Sequence, residues 1–182
     1  MIQSTLMSDR TTRIMRISGW SIAALLLLAP AIAMRFPDSG VNWTVSDFIF
    51  AGVVFALVGG LFELAARASR NISYRAAVVI AVARGFLQLW ITLAVGIIGS
   101  EHNSANWTYI AMVLAALSVA AVTIGAPRAL SRAMAVMAVL QLFFFALHMI
   151  DGHFTAVIDL FFTALWVMSS RLFARAAQQA DA

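Results

Sequence analysis

Arg84 is the residue whose position most needs a chemical explanation. It lies nine residues after Arg75 within a long apolar stretch, about 14 Å further along a helix that rises 1.5 Å per residue. A guanidinium at that depth in a bilayer costs at least about 2.5–3.5 kcal/mol, so it must face the interior of a bundle and find partners there. Gln88 is one turn further along the same face. Glu63, four residues before Arg67, is separated from Arg84 by about 8 Å along the membrane normal, a gap an arginine side chain can largely cover. The spacing predicts a Glu63–Arg84 ion pair, with Gln141 joining from a matching helix face. Such a group either binds a polar substrate or ion, or locks helix register.

A second set of polar residues falls toward the opposite ends of the same helices: Asp47, Glu101, His102, His148, Asp151, His153 and Asp159. Histidines and carboxylates at one depth are the ligands of divalent cations. Their spacing matches no metal motif, and loop polarity alone accounts for most of them. Asp159 is the exception, because it lies about one turn inside the last apolar segment, where it suits a cation or proton contact. The candidate binding residues are therefore Arg84, Gln88, Glu63, Gln141, Asp159 and Asp47. No catalytic or metal-ligating residue is assigned. There is no nucleophile elbow. Of the three histidines only His148 falls inside an apolar segment, near its end, so a bis-histidine haem is not expected, nor any other cofactor.

These residues need a membrane-embedded scaffold. Of 182 residues 63% are apolar and only 11% charged, against about a quarter charged in soluble domains. Too few polar side chains remain to cover a water-facing surface. Absence of cysteine excludes disulfides and thiolate metal sites. The net charge is +4, and all twelve strong cations are arginine. They flank apolar segments, so they read as topology signals and not as a nucleic-acid surface. Arginine without lysine, beside abundant alanine, suggests a GC-rich bacterial genome.

Six segments reach the length of about 20 apolar residues that a span requires: 17–34, 46–67, 75–99, 107–125, 130–150 and 155–174. The predicted fold is an all-α bundle of six transmembrane helices, with a segment 1–16 before it, the helical domain over 17–175 and a tail over 176–182. Arg10, Arg13, Arg16, Arg67, Arg70, Arg75, Arg128, Arg132, Arg171 and Arg175 all fall on one side if six spans alternate. The positive-inside rule then places both termini in the cytoplasm, as expected for a multi-pass protein of a bacterial inner membrane. An alternative reading takes 1–33, with its basic start and Ala31-Ile32-Ala33, as a cleaved signal peptide. That would leave five spans.

An internal repeat is also visible. Asn42-Trp43-Thr44, Asn106-Trp107-Thr108 and His153-Phe154-Thr155 open spans two, four and six. Arg75-Ala76 aligns with Arg128-Ala129, and thirteen residues on, Leu87-Gln88-Leu89 aligns with Leu140-Gln141-Leu142. Spans two-three and four-five thus read as a duplicated helical hairpin, an arrangement common in transporters. The repeat breaks at Arg84, whose counterpart is Met137. Interfacial aromatic residues and helix-capping threonines account for the Trp-Thr openings without any site. Gly52, Gly59 and Gly60 suit close helix packing. Trp20, Trp43 and Trp107 suit interfacial anchoring.

The stretch Asn42-Trp43-Thr44-Val45-Ser46-Asp47-Phe48, followed by Ala94-Val95-Gly96-Ile97-Ile98-Gly99-Ser100-Glu101 and Ala105-Asn106, resembles a family of small uncharacterised bacterial polytopic membrane proteins. The resemblance covers spans two to four. It implies a compact polytopic protein, carries no activity to transfer, and implies that Asp47, Glu101 and Asn106 mark an important outer surface. Two functional classes follow from the residues. One is a small transporter or small-ligand-binding membrane protein, whose partners are the lipid bilayer and a small polar or ionic ligand. The other is a non-enzymatic accessory or structural subunit, paired with a second copy or another membrane protein.

Overall fold

The computed structural model describes residues 7–100 and 102–181. Across them run six helices: α1 (Asp9–Ala33), α2 (Val45–Ala68), α3 (Ile72–Ala94), α4 (Trp107–Thr123), α5 (Pro127–Ile150) and α6 (Ala156–Ala180). Short 3-10 turns occupy Pro37–Ser39 and Ser104–Asn106. Among the described residues there is no strand. Each helix, α4 together with the turn before it (Ser104–Thr123), is long and apolar enough to cross a bilayer. Lipid offers no hydrogen-bond partners, so a spanning backbone must satisfy its own groups, as a helix does. The chain is a multi-pass, all-α membrane protein.

Local sequence sets several helix starts. Ser8 caps α1 by accepting the Thr11 N–H at 3.1 Å. Thr44 and Asp47 form a reciprocal capping box on α2, and Asn71 accepts the Tyr74 N–H at the start of α3. Two helices extend beyond their apolar segments: α1 begins at Asp9, and α6 runs to Ala180, so the expected tail 176–182 is mostly helix. In contrast, α3 stops at Ala94 instead of 99, where Gly96 and Gly99 take positive φ angles of 75° and 64°. Glycine adopts that conformation without the steric cost other residues incur.

The arginine-rich ends meet at one end of the bundle. Arg70 donates to the Met7 carbonyl and pairs with Asp9 at 3.0 Å. Arg75 donates to Thr12 Oγ1 and to the Ser69 and Ala66 carbonyls. Asn71 donates to Gln179, Arg128 pairs with Asp181, and the Gly125 N–H donates to the Tyr74 hydroxyl at 3.0 Å. The start of α1, the α2–α3 and α4–α5 turns and the end of α6 are thereby tied together.

Burial divides the helices unequally. The core lies among α3, α4, α5 and α6, around Tyr74, Met112, Met134, Met137, Trp166 and Phe173. Helix α1 has no buried residue, and α2 has only Ala51 and Ala65. The two outer helices meet where the Trp20 indole lies on Gly59. A Cβ added there would stand 2.7 Å from Trp20 Cη2. Trp20 therefore packs against α2, and of the three glycines expected to allow close packing only Gly59 meets a neighbouring helix. Gly52 and Gly60 have nothing within 4 Å of an added Cβ.

Candidate functional site

The four core helices enclose a polar centre. Arg84 on α3, Gln88 on α3, Gln141 on α5 and Asp159 on α6 are each 0% exposed. Their helices bury them because the alternative surroundings are lipid. Phe162 and Trp166, one turn apart on α6, form an aromatic shelf. The Arg84 guanidinium carbon lies 4.8 Å and 4.2 Å from their ring centroids. Desolvated cation–π contacts of this kind contribute about 2 kcal/mol or more.

Arg84 and Asp159 carry opposite charges but are joined indirectly, through Gln141. The Arg84 Nη2–H donates to Gln141 Oε1, and Gln141 Nε2–H donates to Asp159 Oδ1 at 2.5 Å. An amide is suited to this position because it is acceptor at one end and donor at the other. Among the described residues no direct Arg84–Asp159 ion pair forms. Among the described residues Arg84 Nε and Nη1 find no partner, nor do Gln88 Oε1, Thr92 Oγ1 and the Trp166 Nε1–H. Buried donors without partners cost about 1–3 kcal/mol each, more on a charged group, so this concentration around Arg84 calls for an explanation.

The second Asp159 oxygen leads toward the opposite end of the bundle from the arginines. Tyr109 on α4 donates its O–H to Asp159 Oδ2 at 3.2 Å, and its oxygen lies 3.2 Å from His148 Nδ1. His148 Nε2 lies 3.2 Å from Thr108 Oγ1, and Thr108 in turn donates to the Ala105 carbonyl at 2.8 Å. With both hydroxyl protons so engaged, each ring nitrogen faces an oxygen lone pair. A neutral imidazole donates to one of them and leaves its other nitrogen free to take a proton. The result is a continuous polar chain, Thr108–His148–Tyr109–Asp159–Gln141–Arg84, across α3 to α6. Thr163 donates to the Asp159 carbonyl at 2.7 Å, and Gln88 anchors α3 to α4 by donating to the Tyr109 carbonyl at 2.7 Å.

No family model, curated protein or solved structure matches this chain.

The expected Glu63–Arg84 pair does not form. Glu63 pairs instead with Arg16 at 2.6 Å and with Arg67, one turn on, at 2.8 Å. Depth along the helices does not fix the angle at which their faces meet. The α2 face carrying Gly59, Phe62 and Glu63 turns toward α1, away from the α3 face of Arg84. Gln141 does join Arg84, but as a bridge to Asp159. Asp47 lies apart from the centre: it is exposed, and its carboxylate is taken up by the Thr44 N–H at 2.7 Å and the Thr44 hydroxyl at 2.8 Å. The three aromatic-Thr openings also behave differently. Thr44 caps its helix, Thr108 holds His148, and Thr155 makes no side-chain cap. Asn106 is a loop clamp. Its side chain accepts from the Ile97 and Ile98 N–H groups and donates to the Ile98 and Ser100 carbonyls, at 2.8–3.1 Å.

The outer histidines and carboxylates do not converge either. Among the described residues no three of them could hold a metal ion together. Glu101 lies outside the described residues. Sequence reasoning missed Tyr109 altogether and placed His148 with the loop cluster. Neither has a local signal, since each matters through a helix it meets about 40 or 50 residues away. The Phe162–Trp166 shelf had one: two aromatic residues at i, i+4, in a helix whose preceding turn carries Asp159.

Proposed function

We propose that this chain is a small bacterial inner-membrane transporter or ligand-binding protein, without catalytic activity, whose small polar or ionic ligand occupies the Arg84 centre. One observation carries this reading. An arginine and a carboxylate, both fully buried in the core, are held apart by Gln141 while two guanidinium nitrogens stay unpartnered. A purely structural pair stabilises a bundle best when the charges meet directly and every donor is satisfied. Separated charges with spare donors suit a ligand that completes the set. In this reading Arg84 binds, Gln141 and the aromatic shelf position it, and Asp159 balances its charge. The clustering of arginines at one end supports cytoplasmic termini and, with them, an outward position for His148.

The test is thermal unfolding of the purified chain in nanodiscs against a panel of inorganic anions, inorganic cations and small carboxylates. The reading expects at least one to raise Tm in the natural chain and not in Arg84→Met, the residue at the equivalent repeat position. A panel without effect on the natural chain, or an effect that survives Arg84→Met, overturns it. A second reading, as an accessory subunit of a membrane complex, rests on the outer helices. Helix α1 has no buried residue and leaves an apolar groove of about 450 Å³ between itself, α2 and α3.

A further inference from the structure

The Arg84 centre borders a second feature. A fissure of about 260 Å³ runs between α2 and α4 across α3, and its walls include Leu57, Val113, Ala116, Met134 and Trp166. They are almost wholly apolar. Trp166 belongs to both features: it lines the fissure, carries the guanidinium on its ring, and holds an unpartnered N–H. Next to it stand the spare Nε–H and Nη1–H donors of Arg84. Spare donors on a cation ask for an anionic acceptor. Arg84 itself does not line the fissure; the two share the Trp166 ring, and an apolar slot walled by that ring asks for a hydrocarbon body.

Building on the ligand-binding reading above, we propose that the ligand is an amphiphilic carboxylate, its head on Arg84 and its tail in the α2–α4 fissure, and that it binds together with one proton taken up by Asp159. The proton follows from charge. Arg84 and Asp159 together are neutral, and a second carboxylate beside them would leave a buried negative charge. Neutralising Asp159 restores balance, with Arg84 now facing the ligand. The route for that proton is present. A proton from the outer side arrives at Nε2 of a neutral His148 as its Nδ1 proton passes to the Tyr109 oxygen and the Tyr109 O–H proton passes to Asp159 Oδ2. His148 is left neutral, Tyr109 unchanged and Asp159 protonated, with no bond to carbon formed or broken. The titratable groups facing this path are Arg84 from α3, Tyr109 from α4 and His148 from α5, with Asp151 and His153 acting on His148 from the α5–α6 turn. The charged groups of α2 are taken up elsewhere: Glu63 pairs with Arg16 and Arg67, and Asp47 accepts from Thr44.

The test uses the full chain in phosphatidylcholine nanodiscs with octanoate, acetate, chloride and uncharged octanol, at pH values where octanoate is ionised. Octanoate is expected to bind, octanol not, and the octanoate Kd to rise about tenfold per pH unit. In Asp159→Asn that dependence should vanish while binding remains. Ala116→Phe, which fills the fissure, should weaken octanoate at least tenfold and leave any chloride binding unchanged. Acetate or chloride binding as tightly as octanoate, in an Arg84-dependent way, overturns the amphiphile and leaves the ligand-binding reading standing. A pH-independent Kd overturns the proton linkage. No Arg84-dependent binding by any of the anions overturns the carboxylate proposal, and the wider panel described above then decides the site reading separately. If Arg84→Met fails to fold, Trp166→Phe, which keeps an aromatic face and removes the N–H, takes its place.

Discussion

Removing the charge from Arg84 and from Asp159 should not have additive effects on stability. Arg84→Met alone leaves Asp159 buried with its charge opposed by nothing but Gln141 and Tyr109. Asp159→Asn alone leaves Arg84 as a buried cation with one amide partner. Breaking a buried ion pair costs about 3–5 kcal/mol in soluble proteins. Within membranes single polar contacts average about 0.6 kcal/mol and reach about 1.7, because the unfolded helices also find partners in lipid. Asp159→Asn disturbs two charge-assisted hydrogen bonds, and Arg84→Met removes one together with two cation–π contacts, which brings each loss to about 1.5–3 kcal/mol. In a chain of this length that corresponds to a fall in Tm of about 3–12 °C. In the double variant neither charge remains, so the combined loss should be no larger than the greater single loss. The coupling free energy is then about 1.5–3 kcal/mol, although the two groups never touch. The assay is a double-mutant cycle by reversible unfolding in mixed micelles, with Gln141→Leu as a third corner. Additivity within about 0.5 kcal/mol, the range found for independent sites, would refute the idea that Gln141 transmits charge balance between α3 and α6.

Other consequences are local. Gly59→Ala places a methyl against the Trp20 indole and should loosen α1 from α2 at a cost of about 1–3 kcal/mol. A Trp20→Ala second change should recover most of the loss, read as unfolding midpoints of single and double variants. Asn106→Ala removes the acceptor of two backbone N–H groups and the donor to two carbonyls. It should destabilise the α3–α4 turn by about 2–4 kcal/mol, seen as faster amide exchange at Ile97 and Ile98. A reporter that fluoresces only in the cytoplasm, fused after Ala182, should be bright, and one active only outside should be silent. The opposite pattern would reverse the assignment of His148 to the outer side.

Composition and arginine placement were enough to read the six spans and their alternation, because insertion into lipid is decided span by span. Each helix must be apolar over its own length, and its flanking charges sort locally. Capping at Ser8, Thr44 and Asn71 was equally local. The buried character of Arg84, Gln88 and Gln141 could also be read from one segment at a time, since a polar group at that depth has only the bundle interior to occupy. The partner of Arg84 could not. Depth along a helix is a sum of residue rises, whereas partnership depends on the angle at which each helix presents its faces. Nothing in α2 says that Glu63 turns toward α1 and its Arg16. Nothing within α4 or α5 says that Tyr109 and His148 meet over Asp159. Those contacts arise only when four amphipathically weak helices settle their rotations together. For the same reason the fissure beside Trp166 belongs to the folded bundle alone.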